Sequence, residues 1–375
     1  MFLALHEMSR ARVRFGMLIG AVGLLVFLIL TQQAIEGGLI TGFVGALRQQ
    51  SAPVLVYSVD GQRTLQGSVI NPGLEAKIRG VNGVAQAGWI GQSTFTVRVG
   101  GATESDAALI GYQHPGLGDP SRLSAGRRPV GPAEAVGSAA DFAIGSKVRI
   151  VASGPAAPTA PVFTVVGLAK DAQIQVTPTL FVPWAGYEAA VKAANPDATI
   201  VLPSVIAVRP VPGVADTELV DRINAASADA DALTRAQAAS DTPGVAQVQQ
   251  SFQLIFLLYG LVVPLVTGLF FLIITFQKAA ALTLLRAIGA RSSALVRSLL
   301  IQVVLVVGGG IVIGIALFAP LTLVSLGAIT IRFDPGAVLF WSVGLLVLGV
   351  ASALVAARRV LAIDPLEATT GGGGL

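Results

Sequence analysis

The chain has no cysteine, which removes disulfides, thiolate metal sites and cysteine nucleophiles at once. Its only histidines are His6 and His114. Neither has a partner at metal-ligand spacing, so no zinc or other metal site is predicted. Charged residues make up 12% of the chain, about half the share of about 25% found in soluble domains. No basic stripe interleaved with aromatics occurs, which argues against a nucleic-acid partner. The phosphate-cradling pattern, a glycine followed after four residues by Gly-Lys-Ser/Thr, is missing too. Gly145-Ser146-Lys147 lacks the required Gly-Lys step. No Ser-His-Asp grouping or carboxylate pair stands out, so no catalytic residue is predicted and the chain is not expected to be an enzyme.

What the chain does have is long apolar runs. It is 53% hydrophobic, with a mean hydropathy of +0.74. One run extends from about Phe15 to Ile40, and three more lie between Phe252 and Ala357. Each is long enough for a membrane-spanning helix, which needs about 20 mostly apolar residues. The predicted fold is a membrane α-helical protein with four transmembrane helices and a large extracytoplasmic α+β domain between helices 1 and 2. The expected segments are 1–44 (lead-in and helix 1), 45–248 (external domain), 249–276 (helix 2), 277–297 (cytoplasmic segment), 298–331 (helix 3), 337–357 (helix 4) and 358–375 (cytoplasmic tail). Pro320 is expected to kink helix 3 or to mark its exit from the bilayer.

Basic flanks set the orientation. Arg10, Arg12 and Arg14 precede helix 1, Lys278, Arg286, Arg291 and Arg297 lie between helices 2 and 3, and Arg358 and Arg359 follow helix 4. The loop between helices 3 and 4 has Arg332 balanced by Asp334. Both termini and the middle loop are therefore predicted on the cytoplasmic side. The first apolar run exceeds the roughly 7–15 residues of a signal peptide's core, so helix 1 is expected to remain uncleaved.

Within the external domain, Val54 to Val59 reads as a strand. A short helix from Pro72 to about Arg79 follows, with Asn71 as N-cap and Pro72 at the first helical position. Phe95, Val97 and Val99 alternate as one face of a strand over Ser93 to Val99. The same order recurs later: a strand over Val205 to Val208, a helix from Asp216 as cap to about Ala226, and a strand near Ala232 to Thr234. Two strand–helix–strand units at the ends of the domain imply one subdomain assembled from both. Between them lie strand-like runs at Ala107–Gly111, Lys147–Val151, Phe163–Gly167 and Thr179–Pro183. Ser153 to Pro161 reads as a hairpin loop.

Several of these motifs, in this order, resemble the MacB/FtsX-type ABC transporter permeases. They are Glu134-Ala-Val-Gly-Ser, Ile144-Gly-Ser-Lys-Val-Arg-Ile, Phe163-Thr-Val-Val-Gly-Leu and Leu180-Phe-Val-Pro-Trp-Ala-Gly-Tyr outside, and Leu284-Leu-Arg-Ala-Ile-Gly-Ala and the tail Arg358-Arg359 with Ile363-Asp-Pro-Leu-Glu-Ala inside. The opening, Phe2 to Phe15, looks most like the DevC/HrtB branch, some members of which export haem. The resemblance implies a permease subunit of a bacterial plasma (inner) membrane that acts as a homodimer and exports a hydrophobic or amphiphilic substrate, with haem among the candidates. It also implies a separate ABC ATPase subunit that binds the ATP, and no cofactor on this chain. It leaves open a mechanotransmitter that controls a cell-wall hydrolase, and a lipoprotein-releasing permease.

Two sets of site residues follow. The amphipathic segment Gln277 to Arg297 is expected to dock on the ATPase, through Lys278, Leu285, Arg286, Ile288, Gly289, Ala290 and Arg291. Its plainer reading is an interfacial helix that only sets topology. Glu36, the carboxylate within the first apolar run, is a candidate to contact a polar substrate head or ligate haem iron, against a plainer role as an interfacial carboxylate. Tyr259 on helix 2 is a candidate for the same cleft, or a membrane-interface anchor. Gly308-Gly309-Gly310 and Gly314 are expected to pack closely, on a second protomer or on helix 4.

Overall fold

The computed structural model describes residues 11–152, 160–277, 292–323, 325–326, 329–330 and 333–361. They form two compact units, one on Gly37–Gln249 with Leu326–Thr330 and the other on the remaining chain that flanks Gly37–Gln249.

The flanking unit is helical. Its helices are α1 (Arg12–Gln49), α6 (Val245–Gln277), α7 (Ser292–Phe318) and α8 (Pro335–Leu361), the elements between them belonging to the other unit. All four include stretches long and apolar enough to cross a membrane. At 1.5 Å per residue α1 is about 57 Å long, nearly twice the ~30 Å hydrocarbon core. Its residues beyond Glu36 belong to the external unit. Helix α7 ends at Phe318 and tightens into a 3₁₀ turn over Ala319–Leu323, the departure that Pro320 predicts.

The glycines of α7 pack on α1. A Cβ at Gly310 would stand 2.5 Å from a Val22 methyl, one at Gly314 2.5 Å from a Val26 methyl, and one at Gly309 3.3 Å from Ile19. The expected contact of these glycines with helix 4 or a second protomer is thus corrected for Gly309, Gly310 and Gly314. Helices in lipid gain little from apolar burial and depend on close packing, and the longest buried helix in the unit offers the deepest seam. Helix α8 meets α7 elsewhere, where Gly349 faces Val307 and Val303.

The external unit begins with β1 (Val54–Ser58), α2 (Pro72–Arg79) and β2 (Val84–Val99), and ends with β9 (Val205–Pro210), α4 (Asp216–Ala226), β10 (Ala230–Thr234) and the short α5 (Arg235–Ser240). These strands lie in the order β10-β1-β9-β2, a split β-α-β pattern of ferredoxin type. Both helices cover one sheet face, burying Leu74, Ile78, Leu219 and Ile223 against Val54, Val56, Ile206 and Val208. Asn71 caps α2 by accepting from the Leu74 N–H at 2.8 Å. Asp216 does not cap α4: the N-cap is Ala215, and Asp216 is the first helical residue. There its carboxylate still faces the positive end of the helix dipole.

The inserted segment contributes β3 (Glu104–Tyr112), β4 (Ala125–Gly126), β5 (Glu134–Ser138), β6 (Lys147–Ile150), β7 (Val162–Ala169), β8 (Thr179–Pro183) and α3 (Trp184–Ala194). Strand pairs β2–β3, β3–β8, β8–β5, β5–β7, β7–β6 and β6–β2 close on themselves. Alternate residues such as Phe95, Val97, Leu109, Val148, Phe163, Val165, Leu180 and Val182 fill the enclosed core. Strand β2, at 16 residues, is shared by both subdomains.

Gly91 and Gly111 are cross-strand partners, and a Cβ at either would meet the Tyr187 ring or its Cβ at 2.4 Å. Tyr187 lies in this notch with its hydroxyl 2.9 Å from Ser93 Oγ. Burial raises its phenol pKa, and the Ser93 hydrogen bond works the other way.

Glu134 opens β5 between Arg127 and the Val130 N–H, which bind it at 2.8 Å each. Arg127 first, then the Val130 amide, hold this carboxyl at about 2. A depressed folded pKa stabilises above the ordinary carboxylate value and loses that contribution as pH falls through the folded value. The stability difference between wild type and Glu134→Gln is therefore expected to be constant above pH 4.5 and to shrink towards pH 2. Chemical denaturation at a series of pH values measures it, and a difference that stays constant down to pH 2 would contradict the assignment.

Candidate functional site

Glu36 lies half-buried on α1, one turn beyond Gln33. The Gln33 amide donates to Glu36 Oε2 at 3.4 Å. Gln33 Oε1 in turn accepts from the Trp341 indole N–H at 3.1 Å. The Trp341 ring packs on Phe256 with centroids 5.1 Å apart and on Phe340 at 5.6 Å. Phe252 continues the row at 6.4 Å from Phe256. Tyr259 sits three residues past Phe256, a spacing that makes helix neighbours, and packs against the same apolar core. The carboxylate is thus linked through Gln33 to an aromatic row built from α6 and α8. Sequence reasoning singles out Glu36 and Tyr259, and the structure adds Gln33, Phe256 and Trp341 as their neighbours. The signal was there in Gln33, an amide inside an apolar run, where polar groups need partners.

A second construction sits in the external unit, where the end of α1 is gripped by loops. The Ala46 N–H donates to Gln173 O at 2.8 Å, while Phe43 O and Gly42 O accept from Gln175 N and Val176 N at 3.0 and 2.8 Å. The approach is so close that a Cβ at Gly45 would stand 2.3 Å from Asp171 O. Three non-glycine residues of this loop, Asp171, Gln175 and Val176, hold left-handed backbone with φ of 55, 52 and 57°. For a β-branched residue such as Val176 that is an outlier, of the kind that costs about 1–3 kcal/mol and persists only where surroundings over-determine it.

A second loop takes the helix end. Ser121 N donates to Gln49 O, and Asp119 O accepts from Ser51 N at 2.8 Å. The buried Asp119 carboxylate accepts from Ser51 Oγ and Gly116 N at 2.8 and 2.7 Å and pairs with Arg128 at 3.0 Å, the full set of partners that a buried charge requires. Arg235 donates to Gln50 O at 3.0 Å. The carbonyls of Gln49 and Gln50, at an end that a helix leaves unpaired, are therefore met by the domain.

The seven residues expected to dock on an ATPase, Lys278, Leu285, Arg286, Ile288, Gly289, Ala290 and Arg291, lie outside the described residues, as do His6 and the positions 153–159 of the hairpin loop. No group of His, Asp or Glu able to hold a metal ion occurs among the described residues.

No family model matches the chain. Over 123 residues it is 27% identical to the hemin transport system permease protein HrtB of Staphylococcus haemolyticus strain JCSC1435. The likeness is in keeping with the resemblance to the MacB/FtsX-type ABC transporter permeases. The matched stretch is 33% of this chain and spans about a third, 35%, of that relative's length. This chain has, among its described residues, four helices long and apolar enough to cross a membrane. Solved structures similar to it include the periplasmic region of MacB from Actinobacillus actinomycetemcomitans, at 14% identity and TM-score 0.35, covering 51% of this chain and 92% of that one. Another is the extracellular domain of the ABC-type transporter YknZ from Gram-positive bacteria, at 15% identity and TM-score 0.30, covering 48% and 98%. Neither score reaches the level at which a shared fold follows.

Proposed function

We propose that this permease couples ATP hydrolysis by a separate ABC ATPase subunit to export of a planar amphiphile, haem foremost, with both termini inside and two copies per transporter. The carrying observation is the line from Glu36 through Gln33 to Trp341 and Phe256. Aromatic faces suit a flat apolar molecule, and a carboxylate suits the ferric centre of one. The hemin permease likeness supports the same choice. Helix α6 supports the pairing of protomers, because Leu254, Leu257, Leu258, Leu261 and Leu265 stand exposed along it. Force from the ATPase would enter through the Lys278–Arg291 segment and reach the external domain through the gripped end of α1.

The substrate part is tested by titrating haemin into the purified chain. Wild type is expected to give a Soret shift, and Glu36→Gln to weaken binding and alter the spectrum. No haem binding by wild type would remove the haem reading, and an unaltered spectrum in the variant would remove Glu36. The coupling part is tested by replacing Arg286 and Gly289 together. ATPase stimulation by the permease should fall while membrane insertion persists, and unchanged stimulation would move the coupling surface elsewhere.

A further inference from the structure

The external unit carries a second candidate site, built from residues other than those of the Glu36 row. A cleft of about 470 Å³ is lined by Arg48, Pro53, Asp216, Thr234, Arg235, Ala236 and Ala239, a volume within the roughly 300–1,000 Å³ of small-molecule sites. Arg48, in the last turn of α1, is exposed and has no hydrogen-bonding or ionic partner among the described residues. Arg235 spends one donor on Gln50 O and has no acidic partner among the described residues. Two guanidinium groups therefore face one cleft without a carboxylate bound to either. Asp216 lines the same cleft and pairs with neither, so the site carries two positive charges and one negative. The rest of the lining is largely apolar, from Pro53, Ala236 and Ala239.

We propose that this cleft binds the oxyanion end of an amphiphile, a carboxylate or phosphate carrying a short apolar stem. The forked donors of arginine match both oxyanions. The stem would lie on Pro53 and the two alanines. The carboxylate of Asp216 reduces the net charge of the site to one positive charge, which disfavours polyanions. A free inorganic anion shares the oxyanion chemistry but gains nothing from the apolar wall.

The test is calorimetric titration of the full chain in a neutral detergent with hexyl phosphate, inorganic phosphate and hexyltrimethylammonium. Hexyl phosphate is expected to bind at one site per chain, inorganic phosphate about tenfold more weakly, and the cation not at all, since a tenfold change is about 1.4 kcal/mol. Arg48→Gln should weaken hexyl phosphate by about tenfold or more, the scale of a lost charged hydrogen bond, and Arg48→Lys should restore part of it. Asp216→Asn should strengthen anion binding. Arg48 has no partner to lose among the described residues, so the variant is expected to keep the wild-type elution volume and melting temperature. Equal binding by wild type and Arg48→Gln would overturn the proposal, as would equal binding of the cation. Inorganic phosphate binding as tightly as hexyl phosphate would overturn the amphiphile and leave a simple anion. Glu36→Gln is expected to leave these titrations unchanged, which separates this site from the haem reading.

Discussion

Leucine at position 45 is expected to break the grip on α1 and to abolish export without abolishing ATPase binding. Any Cβ there meets the Asp171 backbone oxygen at 2.3 Å and its carbonyl carbon at 2.9 Å. Backbone cannot rotate out of the way as a side-chain tip can, so the loop must move. Overpacking of this sort costs about 1–3 kcal/mol even between side chains. For a domain of this size each kcal/mol lowers the melting temperature by roughly 2–4 °C. The loop also holds the three left-handed residues, so moving it would release the hydrogen bonds to Gly42, Phe43 and Ala46 together. Gly37→Leu is the control, because nothing stands within 4 Å of a Cβ at Gly37. If Gly45→Leu exports like wild type, the grip does not transmit motion.

The second large effect is expected in the membrane. Gly310→Leu with Gly314→Leu would drive side chains into Val22 and Val26, each already 2.5 Å from an added Cβ. Helices α1 and α7 would separate, and with little hydrophobic force between helices in lipid there is no compensation. The double variant should melt well below wild type in detergent and be cut faster by protease. Gly308→Leu in the same glycine run should be tolerated, since a Cβ at Gly308 has nothing within 4 Å. Equal stability of the Gly308 and Gly310/Gly314 variants would contradict the α1–α7 seam.

Much of this was legible in the sequence, where a local pattern carries the information. Asn71 and Pro72 announce a helix start because capping is a matter of neighbouring residues. Phe95 and Val97 announce a strand because they alternate. The first half of β2 was not legible, because Gly88 and Gly91 have poor strand propensity. Gly91 is there for Tyr187, a residue some ninety positions away. Asp216 looked like a cap because the residue type is right, but the backbone turns one residue earlier. The partner of the Gly309–Gly314 face was open for the same reason. Small residues mark a close contact, but they do not name the helix that makes it. In the site, Glu36 is visible alone as a carboxylate in an apolar run. Trp341 enters only through folding, since it lies 308 residues from Gln33.

The central claim is that this chain moves an amphiphile at the expense of ATP spent by another subunit. Its most direct test is reconstitution of the permease with its partner ATPase in proteoliposomes loaded with haemin, following haemin efflux with and without ATP. The expected result is efflux that requires both subunits and ATP, and that is lost in Glu36→Gln. Efflux of haemin, lipids and peptides that is indifferent to ATP would contradict the claim.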